Sequence, residues 1–224
     1  MPARRAPRIG IDTLTLPVQA ARVELAALAH LQMQEPQSRL YWVENTLVNS
    51  LFGLLCWEAI FAPLPGAFFH PYHHGPADLL AADFHERRAA VFERCFAQLR
   101  SGAHEQQILQ RFEAKQGIQS PFVYWGALDR DTLEQALRCI PAAHLEVFFR
   151  WMLKDLGVHG AGFPDLVQFW PAQRRYRMIE IKGPVDRLQE NQRRLFEHSA
   201  AHGLPMRVLN IRWASPAAVD SVRS

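Results

Sequence analysis

GFPDLVQFWPAQRRYRMIEIKGP, residues 162–184, is the stretch on which the fold turns. Leu166 to Trp170 and Arg175 to Ile181 are short runs rich in branched and aromatic residues, and Pro171, Ala172, Gln173 and Arg174 between them carry loop chemistry. The segment reads as a β-hairpin. Its centre falls between Ala172 and Gln173, so residues equidistant from that point pair, Asp165 with Glu180 among them. In that register the two carboxylates face each other with Cβ atoms about 4.5 to 5.5 Å apart. Like charges placed so are destabilising unless something positive lies between them. Two converging carboxylates with the remaining positions left to water are how Mg2+ or Mn2+ is usually held. Period-two alternation puts Lys182 on the face of Glu180.

Such a set suits phosphodiester hydrolysis, which needs an acidified water and neutralisation of charge on the phosphate and the departing oxygen. The carboxylates would hold the cation, the backbone carbonyl of Ile181 would add a ligand, and Lys182 would orient or deprotonate the attacking water. A PD dipeptide or an ExK triplet alone is common in turns and on solvated strands. Here GFPD stands immediately before an apolar strand and IEIKGP ends the next. A basic helix over Arg187 to His202 and a third strand over Met206 to Trp213 follow, the order expected for a nuclease core.

Upstream of Gly157 the apolar spacing is helical: Ala20 to Met33, Glu44 to Phe61, Ala81 to Arg100, Glu105 to Gln116, Asp131 to Cys139 and Ala142 to Leu156. Pro121 to Trp125 reads as a short strand or turn, and Pro63 to Pro76 as a long proline- and histidine-rich connection. The expected division is a leader over 1–21 with an extended patch at Ile9 to Leu16, a helical part over 22–156, a catalytic core over 157–214 and a tail over 215–224. On a helix starting at Glu44, Leu47, Val48, Leu51 and Leu55 share its side, so Glu44 is expected to point inward as a further catalytic carboxylate and metal ligand. The competing reading is a first-turn acid favouring the helix dipole, worth about 0.3 to 1 kcal/mol. Glu58 lies on the same face, as a support or a purely structural acid.

Of 224 residues 49% are hydrophobic and 21% charged, values of a folded globular chain rather than a disordered one. The formal charge of +3 is too small to identify a nucleic-acid partner by itself. Arg174, Arg175, Arg177, Arg187, Arg193, Arg194, Arg207 and Arg212 are nevertheless expected around the acidic set, where guanidinium groups suit phosphate. The three cysteines have no CxxC pair and point to a reducing compartment. His70, His73 and His74 are loosely spaced beside proline and read as a loop rather than a zinc set. The longest apolar stretch, Leu51 to Phe69, is interrupted by Glu58, Pro63, Pro65 and Gly66, so no bilayer span is expected. With no secretory signal read at the N-terminus, the expected location is cytoplasmic, of bacterial type and associated with the nucleoid.

Four blocks, YWVENTLVNSLFGLLCWEAIF, GPADLLAADFHERRAAVFERCFAQL, GFPDLVQFW and IEIKGPVDRLQENQRRLF, together resemble the nuclease region of the Fanconi-associated nucleases, which end in a virus-type replication-repair (VRR) nuclease domain. The likeness covers roughly Arg22 to Trp213. It implies an α/β (α+β) fold, the restriction-endonuclease-like PD-(D/E)xK core with a helical N-terminal extension. It implies a metal-dependent phosphodiesterase I type activity on branched DNA, 5′ flaps and single-stranded ends during interstrand crosslink repair, and it is compatible with a homodimer on DNA. Glu44 falls on the family's helix-borne catalytic glutamate, Asp165 on its PD aspartate, and Glu180 and Lys182 on its ExK pair. Asp186 and Arg187 match the DR step after KGP and Gln192 the helix glutamine; with Arg193 and Arg175 they are the expected supporting, DNA-facing residues. Members usually carry a zinc finger, a SAP region or helical repeats ahead of the nuclease; none is read in these 224 residues, so a standalone or shortened form is expected. The alternative is a non-catalytic DNA- or partner-binding module that keeps a decayed nuclease fold, which an intact acidic and lysine quartet disfavours.

Overall fold

A computed structural model describes residues 9–70 and 72–214; residues 1–8 of the expected leader and the expected tail over 215–224 lie outside the described residues. In chain order the elements are β1 (Gly10–Leu16), α1 (Val23–Gln34), β2 (Arg39–Trp42), α2 (Thr46–Leu55), α3 (Trp57–Ile60), α4 (Ala89–Ser101), α5 (His104–Ala114), α6 (Arg130–Cys139), α7 (Ala142–Lys154), α8 (Leu156–His159), β3 (Leu166–Trp170), β4 (Arg175–Lys182), α9 (Glu190–Ala201) and β5 (Met206–Trp213). They form two compact units, Met1–Glu44 with Gly162–Ser224, and Asn45–Ala161.

The first unit is built on a five-stranded sheet in the order β1-β5-β4-β3-β2. The hairpin register is the one read from the sequence: Leu166 pairs Ile179, Val167 pairs Met178 and Trp170 pairs Arg175. The loop is a 3-10 turn over Pro171–Gln173 closed by Arg174 at φ 47. A parallel β4-to-β5 connection requires a crossover, and α9 supplies it. Leu166, Ile179, Ile181, Leu209 and Ile211 bury one sheet face against Ala26, Ala27 and Leu31 of α1. Alternation sends Glu180 and Lys182 to the other face, where α9 lies.

The sequence expectation needs correcting in this unit. The core expected over 157–214 recruits β1, α1 and β2, all from before residue 45. Within the expected leader, the extended patch read at Ile9 to Leu16 is the strand Gly10–Leu16, but it belongs to the core sheet, pairing parallel with β5 from Gly10↔Arg207 to Leu16↔Trp213. Arg39–Trp42, read as no element, pairs antiparallel with β3. The physical reason is common to both. A lone three-stranded sheet leaves two rows of unpaired backbone groups, and short distant segments satisfy them.

The second unit is helical. Phe52 is its aromatic centre, with Phe122 and Phe149 edge-on at 5.0 and 5.5 Å and Phe92 stacked at 6.1 Å. Arg88, 1% exposed, is buried because Asp78 accepts from both of its terminal nitrogens at 2.8 and 2.9 Å. The long helix expected from Glu44 to Phe61 is interrupted at Cys56, and residues 81–88 are mostly turn before α4 begins. Pro121 to Trp125 is a bend and irregular backbone leading into a turn at Trp125, not a strand. Glu58 is exposed and accepts from Arg111 at 2.6 Å, a structural ion pair of this unit. Among the described residues no helix is long and apolar enough to cross a membrane.

Candidate active site

Asp165 sits one residue before β3, after Gly162, Phe163 and Pro164. Pro164 biases Phe163 to extended backbone. Gly162 adopts φ 92, and a Cβ there would stand 2.9 Å from Asn191 Nδ2 and 3.4 Å from the backbone nitrogen of Gln192, so only glycine lets the segment pass this close to α9. Asp165 is then held from both ends. Its Oδ2 accepts from the N–H of Ile181 at 2.8 Å, and its carbonyl accepts from the N–H groups of Val43 and Glu44 at 2.8 and 2.9 Å.

Glu180, 2% exposed, sits across the hairpin from Asp165 by extension of the observed register. Its Oε1 accepts from Lys182 Nζ at 2.7 Å and from Gln192 Nε2 at 2.6 Å. Gln192 is itself fixed by the capping box of α9, its Oε1 accepting from the N–H of Gln189 at 3.0 Å. The other oxygen, Oε2, is buried without a hydrogen-bond partner. Leaving a buried carboxylate oxygen unmet is costly. Burial, and then the charge of Asp165, push the Glu180 carboxyl up to about 7. Burial raises Asp165 to about 6 against the lowering effect of the Ile181 N–H, with the charge of Glu24 adding to the rise.

This donor set fits a hard divalent cation. Two desolvated, mutually repelling carboxylates and an open oxygen are what a cation would satisfy. Among the described residues no three His, Cys, Asp or Glu side chains converge at metal-binding reach. The remaining positions would fall to the Ile181 carbonyl and to water, as is usual for Mg2+.

Glu44 differs from expectation. It precedes α2 rather than riding on it, is exposed rather than turned inward, and has φ 41. A non-glycine residue in that region costs on the order of 1 kcal/mol and persists where surroundings over-determine it; here the two N–H bonds to the Asp165 carbonyl do so. The strained turn puts Glu44 at the edge of the acidic site, close enough that its charge also raises Asp165.

The supporting residues separate. Asp186 closes the turn after Lys182, its Oδ2 accepting from the N–H of Gly183 at 3.0 Å; a Cβ on Gly183 would lie 2.8 Å from that oxygen. Arg187, next in this loop, is exposed. Arg193 is on the outer side of α9, paired with Glu190 at 2.8 Å and Glu197 at 2.7 Å. Arg175 is not brought to the site: it starts β4, about 20 Å along the strand from Lys182 and on the α1 face, with its guanidinium 4.0 Å from the Trp170 ring. Burial and the charges of Arg207 and Arg175 lower the neighbouring Arg177, so these arginines crowd at the hairpin end rather than around the acids. Glu24, in the first turn of α1, is an acid the sequence reading passed over. Its charge acts on Asp165 more strongly than those of Lys182 or Glu44, and a first-turn glutamate gave no sign of this.

A family model described as the VRR-NUC domain matches residues 99–213. Over 200 residues the chain is 54% identical to a Fanconi-associated nuclease 1 homolog of Pseudomonas aeruginosa, covering 89% of this chain and 35% of that one. It is 28% identical over 178 residues to Fanconi-associated nuclease 1 of Homo sapiens, covering 76% of this chain and 17% of that protein. A crystal structure of paFAN1 bound to 2-nucleotide 5′-flap DNA with a gap superposes with a TM-score of 0.90 at 52% identity, covering 95% of this chain and 39% of that chain. The chain thus spans about a third of the length of the bacterial relative.

Proposed function

The chain belongs to the VRR-NUC family, whose nuclease chemistry implies a divalent metal, and from that premise we propose that it hydrolyses phosphodiester bonds of DNA with Mg2+ or Mn2+. The reading is a phosphodiesterase I type DNA-repair nuclease acting at 5′ flaps, branch points and single-stranded ends. One observation carries it: Lys182 and Gln192 both occupy Oε1 of Glu180, leaving Oε2 buried without a hydrogen-bond partner.

Asp165, Glu180 Oε2 and the Ile181 carbonyl would hold the cation, and Glu44, exposed in its turn at the edge of the site, would act on it through water. When bound, the cation supplies Lewis acidity to the phosphate and lowers the pKa of a coordinated water. The rest is the work of the protein. The hairpin register and the Ile181 N–H fix the two acids before substrate arrives, and Gln192 keeps Glu180 from rotating away. Lys182 places a positive charge beside the acids, where it holds the attacking water and offsets the negative charge that grows on the phosphate oxygens. Arg187, exposed in the loop just after it, would meet the DNA backbone.

Purified protein is expected to cut 5′-flap and single-stranded DNA with Mn2+ or Mg2+, to stop on chelation and to resume on adding metal back. A protein that binds these DNAs yet cuts none with any divalent metal is the binding module, not the nuclease. The arginine geometry adds a separate expectation for DNA binding measured against salt. Arg187→Ala should weaken binding on every sequence and lower the slope of log K against log salt by about one. Arg193→Ala, whose guanidinium is already committed to Glu190 and Glu197, should leave that slope unchanged.

A further inference from the structure

The helical unit holds a cleft that the acidic site does not use. Its volume is about 640 Å³, within the roughly 300 to 1,000 Å³ of sites that take small molecules, and its walls come from residues 57–119 of that unit. Trp57, at the start of α3 and 7% exposed, lines it. Its ring stacks on Phe61 at 4.7 Å and 28°, and Phe61 stacks on Phe68 at 6.2 Å and 18°. A series of three near-parallel rings is what another flat ring would extend by offset stacking. These residues are more than the edge of a core. Phe69 and Tyr72, which also line the cleft, are 75% and 83% exposed, and large rings gathered in water mark a binding surface.

The charge on the lining has one sign. Lys115, the residue after α5, sets its ammonium 5.7 Å from the centre of the Trp57 ring. No carboxylate lines the cleft among the described residues. His70 and His73 lie beside it with ring centres 4.0 Å apart, and they are no metal set, since among the described residues no three His, Cys, Asp or Glu converge at metal-binding reach. His70 Nδ1 accepts from the N–H of Tyr72 at 3.1 Å, which leaves Nε2 as the donor of that ring. The walls are held before any ligand arrives. Buried Arg111 of α5 donates to the carbonyls of Leu54 and Leu55 and to Glu58, tying the end of α5 to α2 and α3. The carbonyl of Ile118 accepts from Trp125 Nε1 at 2.7 Å, which fixes the segment after α5. A site ordered in advance loses less on binding.

We propose that this cleft is a subsite for an unpaired nucleotide of single-stranded DNA, its base stacking on the rings and its phosphate meeting Lys115. Rings alone would take any apolar group and an ammonium alone any anion. A ligand with a flat apolar face and a negative charge fits both. Stacking of this kind is indifferent to sequence because every base has a π face, and it selects single strands because the bases of a duplex already stack on one another. The strand would be the flap or single-stranded end of the nuclease reading, on which the assignment rests for its ligand, and the cleft adds a grip on that strand that the catalytic acids do not supply.

Binding is measured by fluorescence anisotropy with a chelator present, so that nothing is cut. One strand is an oligothymidylate of about eight nucleotides, and the other has the same length and charge but abasic residues. The parent should prefer the oligothymidylate by about tenfold, the scale of one stacked base. The Phe69→Ala/Tyr72→Ala double variant should lose most of that preference while its melting midpoint and its affinity for the abasic strand stay level, since both side chains are exposed. Lys115→Ala should weaken both strands alike and lower the salt slope by about 0.7. An oligothymidylate carrying 5-iodouracil should photocrosslink to peptides that contain Trp57, Phe69 or Tyr72. A double variant that keeps the preference of the parent, with crosslinks elsewhere, overturns the proposal. So does a dimer of the chain that the double variant abolishes while no base preference is seen, which would give the cleft to a second copy. A parent that cuts flaps with Mn2+ but shows no base preference defeats the cleft alone, and one that shows the preference but cuts nothing with any divalent metal defeats the nuclease reading alone.

Discussion

Asp165→Ala and Lys182→Ala should each lower the rate of Mn2+-dependent flap cleavage about a thousandfold or more, the scale on which preorganised charge at a reacting phosphate contributes to a rate. The two losses have different origins. Asp165→Ala removes a proposed ligand and also frees the Ile181 N–H, which no longer ties β4 to the segment before β3. Asp165→Asn separates these effects: the amide oxygen still accepts from Ile181, so the fold is kept while the charge that binds metal is lost. Lys182→Ala leaves the ligands in place and withdraws the ammonium from Glu180 Oε1, where Gln192 remains as donor. Metal should therefore still bind to Lys182→Ala while cleavage fails. Single-turnover rates at saturating Mn2+ decide it, and cleavage within tenfold of the parent for either alanine variant would remove that residue from the reaction.

The second large effect concerns stability, because the site is built against itself. Glu180 and Asp165 have folded pKa values of about 7 and about 6, above the ordinary carboxylate range in an unfolded chain. Between roughly pH 4 and pH 7 the folded protein holds more protons than the unfolded one, so metal-free stability falls as pH rises through that window. Glu180→Gln removes the charge while its amide can still meet Gln192. At pH 8 without metal it should raise the melting midpoint by roughly 3 to 6 °C, on the order of 1 to 2 kcal/mol for a chain of this size. At pH 5, where Glu180 is largely protonated, the gain should shrink toward zero. Proton and cation compete for the same oxygens, so Mn2+ should stabilise the parent more at pH 8 than at pH 5 and Glu180→Gln very little at either. A parent whose metal-free midpoint climbs steadily from pH 5 to pH 8 would contradict the buried, repelling pair.

The conflict at the acidic pair is legible in the sequence because it is local. Sixteen residues of hairpin contain both acids, and once Pro171 to Arg174 sets the loop, period-two alternation admits only one pairing that buries the apolar residues; a slip by one would turn Leu166 and Ile179 outward. Lys182 and the Asp186 turn after Gly183 follow from the same short stretch. Arg175 and Arg193 show the limit of composition as a guide. Both are arginines near the motif in sequence, but one stacks on Trp170 at the far end of β4 and the other is paired along the outside of α9.

What the amino-acid sequence determined alone was the hairpin, its register, the face shared by Glu180 and Lys182, and the crossover helix beyond, all products of backbone alternation and turn chemistry over short distances. Only the tertiary structure decided that β1 and β2 complete the sheet and that Glu44 stands in a strained exposed turn. Those outcomes depend on unpaired strand edges and on a carbonyl at Asp165 more than a hundred residues from the N–H groups it receives. Hydrogen-bond demand of that kind is settled by which distant segment can reach it, and no local pattern records the answer.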